Sequence, residues 1–221
     1  MDSSLNIQLY ENALSNSADA FESLEREVQY LLPEDCKVKI RGKEYAVPRQ
    51  LCAFGDEGLT YTFSGLTVNC QSWTPLLLEI KAQVESLTGV EYNFVLINRY
   101  KDGSCCIGQH KDNEVDLDDS CPIASLSLGE TRTMVFKRPK FNDHRIELKD
   151  NSLLLMRPPT NQYWTHGIPP EKKRSGVRLN LTFRRISPNG SRMKRKASTP
   201  SEGGADSKKL KQDSTKVSTF L

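Results

Sequence analysis

Several things are missing from this chain, and each absence narrows its function. No apolar run approaches the roughly 18 residues that a membrane-spanning helix needs, and the mean hydropathy is −0.56, so a helical membrane protein is excluded. The start, MDSSLNIQLYENALSNSAD, has neither the basic opening nor the apolar stretch of a secretory signal; an intracellular protein is expected. Cys36, Cys52, Cys70, Cys105, Cys106 and Cys121 form no CxxC pair and no regular framework, which points to reduced thiols rather than a disulfide scaffold or a cysteine zinc site. No internal repeat is visible. Histidine is scarce: only His110, His144 and His166 occur.

What is present suits a soluble globular protein. The 221 residues are 37% hydrophobic and 27% charged, enough for one large domain with an appended tail. The net charge of +3 is unevenly spread: the C-terminal residues from 187 on hold eight basic and three acidic side chains, so the rest of the chain is net −2. That tail is rich in Ser, Gly, Pro and Lys and poor in large apolar residues, so disorder is expected over 188–221. Its clusters Lys194-Arg195-Lys196 and Lys208-Lys209-Leu210-Lys211 fit either a solvated basic linker or a bipartite nuclear import signal. Residues 214–221, with Val217 ahead of Phe220-Leu221, look like a degenerate sliding-clamp (PCNA) docking peptide or a chance apolar end.

Within the rest, residues 1–17 are expected to be flexible. Phe21, Leu24, Val28 and Leu31 recur at helical spacing over 18–32, and a second helix is expected from Ser72 as cap through Pro75, burying Leu77, Ile80, Val84 and Leu87. Short strands are expected at 38–47, 58–63, 93–100, 123–128, 133–137, 145–149, 152–156 and 177–184, separated by Gly, Pro, Asn and Asp. Helices early and strands late argue for an α+β or mainly β sandwich rather than βαβ units.

Two of the histidines sit where chemistry is possible. In an extended Gln109-His110-Lys111-Asp112, His110 and Asp112 point to one side and Lys111 away. A third ligand from a distant segment, with His166 in Tyr163-Trp164-Thr165-His166-Gly167 the candidate, would complete the two-histidine, one-carboxylate set of non-haem iron(II). The HxD alone is weak. Sharper is Val177-Arg178-Leu179-Asn180-Leu181-Thr182-Phe183-Arg184, in which Val177, Leu179, Leu181 and Phe183 form an apolar face and Arg178, Asn180, Thr182 and Arg184 a polar one. That polar face could be solvated at a sheet edge. Alternatively its two arginines clamp a dicarboxylate, with Asn98 and Tyr100 on an earlier strand adding neutral donors; together these describe a 2-oxoglutarate site beside iron.

At these residues the sequence resembles the AlkB family of iron(II)/2-oxoglutarate-dependent dioxygenases, from about residue 21 to 186. GLTYTFSG (58–65), NFVLINRYKDG (93–103) and PIASLSLG (122–129) are similar to its animal nuclear DNA-repair members. The resemblance implies a double-stranded β-helix (jelly-roll) core over about 90–187, with N-terminal helices and a nucleotide-recognition lid over about 36–70, in a dioxygenase domain spanning 18–187. It implies that His110, Asp112 and His166 bind iron and that Arg178 holds the distal carboxylate of 2-oxoglutarate, with Asn98, Tyr100, Asn180, Thr182 and Arg184 completing the cradle. The implied reaction is oxidative removal of N-methyl groups from bases such as 1-methyladenine and 3-methylcytosine in DNA. It consumes O2 and 2-oxoglutarate, with ascorbate as a reductant in vitro, and yields formaldehyde, succinate and carbon dioxide. A nuclear, monomeric enzyme acting on duplex DNA is expected.

Such lesions weaken their own base pair, which lowers the cost of flipping. By the resemblance, Phe63 and the His110 ring sandwich the flipped base, Tyr61 lines the wall and Glu114 supplies an acceptor; ordinary strand packing is the plain alternative for Tyr61 and Phe63. The sequence departs from the family pattern twice. Asn113 stands where a second aspartate is usual, and Arg41-Gly42 occupies the hairpin tip where an aromatic finger is usual, a poorer wedge for a duplex. Arg49, Lys137, Arg138, Lys172 and Lys173 are candidate phosphate contacts. The rival readings are the same chemistry on single-stranded DNA, RNA or a protein side chain, and an inert nucleic-acid-binding module or clamp-associated scaffold.

Overall fold

A computed structural model describes residues 4–187 apart from Arg41, Ser64 and Val115; the basic tail and the clamp-like peptide lie outside the described residues. The order of elements is β1 (Ile7–Glu11), α1 (Ser17–Glu27), β2 (Lys37–Ile40), β3 (Lys43–Ala46), β4 (Gln50–Gly55), β5 (Thr60–Phe63), β6 (Leu66–Asn69), β7 (Gln71–Ser72), α2 (Pro75–Thr88), β8 (Phe94–Tyr100), β9 (Ile107–His110), β10 (Ile123–Gly129), β11 (Arg132–Lys137), β12 (His144–Leu148), β13 (Ser152–Met156), α3 (Thr160–Tyr163), β14 (Thr165–Ile168) and β15 (Arg178–Arg184).

A seven-stranded sheet runs β1-β13-β10-β15-β8-β4-β7, and a four-stranded sheet runs β12-β11-β14-β9. One face of the large sheet carries Leu126, Leu128, Leu153, Leu155, Leu179, Leu181 and Phe183, which pack with Leu24 of α1 and with Leu77, Ile80 and Val84 of α2. Between the sheets, Tyr100, Leu154 and Met156 meet Met134, Phe136, Leu148 and Ile168. This is the expected jelly roll with helices on one side. The β2–β3 and β5–β6 hairpins stand apart as separate two-stranded pairs, and Tyr61 and Val68 of the second pack onto Leu51, Ala53, Phe94 and Leu96.

Five expectations need correction. Residues 1–17 are not simply flexible: β1 pairs antiparallel with β13 from Ile7↔Met156 to Glu11↔Ser152, and Ser4 and Leu14 are buried. The edge of the large sheet supplies partners that the sequence pattern does not reveal. The first helix stops at Glu27, because Val28 turns to an extended conformation and the Leu31 N–H joins Leu51 of β4. Thr74, not Ser72, caps α2: its hydroxyl accepts the Leu77 N–H at 3.2 Å, and Ser72 belongs to β7. Leu87 is 37% exposed, at the edge of a buried stripe that runs through 77, 80, 84 and 88. The core also draws on strands before residue 90, because β1, β4 and β7 belong to the large sheet; the segment 36–70 therefore supplies a core strand as well as the two hairpins.

Candidate metal centre and adjoining cavity

The centre is assembled by strand register. His110 ends β9 and pairs directly with His166 of β14; the two rings lie 4.4 Å apart between centroids. Gly167 permits this crossing, as a Cβ there would come within 2.9 Å of the Ile107 and Gly108 carbonyl oxygens. Asp112 follows two residues beyond His110, and one ligand atom from each of His110, Asp112 and His166 lies within 4.8 Å of the others. The sequence-expected trio does converge. Lys111 points away, its Nζ donating to the Gln162 carbonyl.

The protonation states suit a cation. His110 Nδ1 lies 3.0 Å from the Gly108 carbonyl oxygen, so with the proton on Nδ1 its Nε2 lone pair faces the centre, 3.5 Å from Asp112 Oδ1. Burial opposes the charge on Asp112, but the Arg184 guanidinium at 3.0 Å, with His110 and His166, holds its carboxyl well below the usual range. Burial and the neighbouring His110 push His166 down to about 3, leaving a neutral imidazole, the form that binds metal.

Beside the centre lies a cavity between the sheets. Its polar wall comes from β15 and β8, where Asn180 pairs with Asn98 and Arg178 with Tyr100. Far from a solvated edge, β15 is the middle strand of its sheet, and Arg178, Asn180, Thr182 and Arg184 are all buried. Asn98, Tyr100, Asn180, Thr182 and Arg184 line the cavity. Arg178 is not among the lining residues; its guanidinium carbon lies 5.0 Å from the Tyr100 ring centre, and its Nη2 donates to Ser127 Oγ at 2.9 Å. Arg178 Nε and Nη1 and Arg184 Nε and Nη1 are buried with no partner. Orphaned buried guanidinium N–H groups are costly, and an anionic ligand with oxygen acceptors, such as a dicarboxylate, relieves that cost. The donor set therefore fits 2-oxoglutarate as the His/Asp/His set fits iron.

The cavity lining also includes expected base-contact residues. Tyr61 and Phe63 line the cavity with ring centroids 5.6 Å apart; Tyr61 is fully buried against Phe94 at 4.9 Å, with the Arg184 guanidinium 5.4 Å from its ring centre. Glu114 also lines the cavity. Burial and Asp112 raise its pKa, and its Oε2 is buried without a partner. Arg49, expected on a phosphate, is instead half-buried in the cavity wall with Nε donating to Asn98 Oδ1 at 2.7 Å. Asn113 is exposed and outside the lining. Gly42 is exposed with φ +80 in the β2–β3 turn, and Arg41 lies outside the described residues. Lys137 pairs with Asp143 at 2.9 Å, Arg138 lies over Phe141 and Tyr163, and Lys172 and Lys173 are exposed.

Four residues escape sequence reasoning. Ser125 and Ser127 of β10 are buried and hold Asn180 and Arg178; the alternation Ala-Ser-Leu-Ser-Leu signals their shared face. Arg132, 1% exposed, donates to the Asp102, Cys105 and Pro169 carbonyls, and no sequence signal points to it. Asn161, beside Asp112, is likewise silent in the sequence.

A largely buried two-histidine, one-carboxylate set opening onto an arginine-walled cavity inside a jelly roll defines a non-haem iron oxygenase site of the 2-oxoglutarate-using kind. The chain belongs to the 2OG-Fe(II) oxygenase superfamily, whose family model matches residues 7–184. Its relatives bear out the AlkB resemblance. It is 45% identical over 177 residues to DNA oxidative demethylase ALKBH2 of Mus musculus, covering 76% of this chain and 74% of that one. It is also 45% identical over 177 residues to ALKBH2 of Homo sapiens, covering 68% of the human protein. The solved structure of OsALKBH1 shares the fold, with a TM-score of 0.56 at 19% identity over 81% of this chain and 97% of that one. The protein is thus a dioxygenase that uses iron(II), 2-oxoglutarate and O2.

Proposed function

We propose that the protein oxidatively demethylates N-alkylated bases, 1-methyladenine and 3-methylcytosine, in DNA. One observation carries the reading: the His110, Asp112 and His166 ligand atoms, within 4.8 Å of one another, face the same cavity as the Tyr61 and Phe63 rings and the Glu114 carboxyl. This supports an oxidising centre that shares one volume with a π-walled slot and an acceptor, as a flipped cationic base requires. The two relatives above carry the name DNA oxidative demethylase, which supports the same substrate.

When bound, iron and 2-oxoglutarate supply the oxidation, with O2 consumed and succinate, carbon dioxide and formaldehyde released. The chain's own residues place the reactants. His110, Asp112 and His166 hold the metal, with Arg184 fixing the Asp112 carboxylate. Arg178, supported by Tyr100, Asn98, Asn180 and Thr182, holds the co-substrate; Arg49 orients Asn98. Tyr61 and Phe63 stack on the base, the neighbouring His110 ring closes the slot, and Glu114 accepts a hydrogen bond from the lesion's exocyclic nitrogen. The cavity's apolar lining, Leu96, Ile107, Met134 and Ile168 among others, excludes water.

Duplex DNA, engaged by Arg41 and Gly42 and by Lys137, Arg138, Lys172 and Lys173, is the proposed partner, reached by a nuclear monomer whose tail carries the import signal and docks a sliding clamp through 214–221. The test is incubation of the full chain with iron(II), ascorbate and 2-oxoglutarate on matched single- and double-stranded DNA oligonucleotides and an RNA oligonucleotide, each bearing either lesion, with bases read by mass. Repair of the duplex at least as fast as of the single strand is expected. Repair of the single strand or of RNA alone assigns the substrate there, and no repair on any strand contradicts the reading.

A further inference from the structure

We infer that Asn161 is a positioning residue for the Asp112 carboxylate, the one ligand of the trio that does not lie on a strand. β9 ends at His110, and residues 111–114 belong to no strand or helix, so no ladder neighbour is available to the Asp112 backbone. Yet Asp112 is 3% exposed, and buried backbone groups must find partners. A single side chain provides both. Asn161 Oδ1 accepts the Asp112 N–H at 3.0 Å, and Asn161 Nδ2 donates to the Asp112 carbonyl oxygen. The side-chain amide thus does what a neighbouring strand would do, with one acceptor and one donor.

Only a short amide fits this role. An aspartate at 161 offers no donor for the carbonyl, an alanine offers nothing, and a glutamine carries the amide one methylene too far. The support behind Asn161 is firm. It sits in α3, where the fully buried Thr160 exchanges hydrogen bonds with the Asn6 backbone at 2.7 and 3.1 Å, and where Lys111 reaches the Gln162 carbonyl. The chain then passes through Trp164, whose N–H donates to the Thr160 carbonyl at 2.8 Å and whose Nε1 donates to Ser4 Oγ at 3.0 Å. Immediately beyond lies β14 with His166. Asn161 therefore ties the off-strand ligand to the element that delivers the distant histidine, and the N-terminal residues 4–6 brace the clamp.

This inference rests on the proposal that Asp112 is a metal ligand, and the experiment separates the two. Metal-free full-length protein is titrated with Mn(II) alone, free metal being followed by its electron paramagnetic resonance signal, for wild type, Asn161→Ala, Asn161→Gln and Asp112→Ala; thermal melting of each metal-free variant is recorded alongside. Asn161→Ala is expected to weaken Mn(II) binding by roughly 10- to 100-fold, the usual effect of losing a residue that orients a ligand, and Asn161→Gln by less. Affinity of Asn161→Ala within about twofold of wild type, with Asp112→Ala deficient, overturns the inference alone; unchanged affinity in Asp112→Ala overturns the ligand assignment and the inference with it. A second measurement needs no variant: hydrogen exchange at the Asp112 amide of the wild-type protein is expected to be slow, and exchange at the rate of an open loop contradicts the clamp.

Discussion

Charge at the centre is set by burial and by neighbours, and this has a consequence for the metal-free protein. His166 is held at about 3 by burial and by His110, against 6.5 for a free imidazole. Between those values the unfolded chain binds a proton that the folded chain refuses, so stability rises with pH and is lost as the solution is acidified below 6.5. Asp112, held well below 3.8 by Arg184 and the histidines against the cost of its burial, adds a loss in the same direction at lower pH. The melting temperature of metal-free protein is expected to fall from about pH 7 to pH 5, and His166→Gln to flatten that fall; a flat wild-type profile contradicts the buried neutral imidazole. The HxD and the later histidine were legible because side-chain chemistry limits what such a set can do. Asn161 and Arg132 were not, because each acts on backbone groups whose need for a partner arises only after folding.

The central strand β15 shows how one element serves the core and the site together. Leu179, Leu181 and Phe183 are fully buried toward the helices, while Arg178, Asn180, Thr182 and Arg184 point between the sheets. Substitutions on the two faces are expected to separate. Leu181→Ala should cost about 2–5 kcal/mol in denaturant unfolding. Arg178→Ala should raise the 2-oxoglutarate requirement by at least about tenfold, a single charge-assisted pair being worth more than 1.4 kcal/mol; an unchanged requirement reassigns the strand's polar face. The strict alternation made β15, β10 and β8 readable. β1 was not, since its IQLYE has mostly exposed positions and gains its place from β13. β9 and β14 are four residues each, too short for a periodicity to declare itself, and the α1 boundary moved because Leu31 is taken up by β4.

Seen as a whole, the molecule divides its charge: residues before 187 are net −2, and the tail carries the positive excess. Removing 188–221 is expected to leave metal binding and the melting temperature unchanged while weakening binding to DNA and making its salt dependence shallower; an unaltered salt slope excludes the tail from DNA contact. The jelly roll and its ligand trio were accessible from sequence, whereas the recruitment of β1 into the large sheet depends on pairing with β13, across most of the chain's length. The central claim, that His110, Asp112 and His166 form one oxidising centre for a methylated base, is tested most directly by counting succinate and repaired base together on a 1-methyladenine oligonucleotide for wild type and Asp112→Ala. Wild type is expected to form the two in equal amounts and the variant neither; equal turnover by the variant contradicts the account.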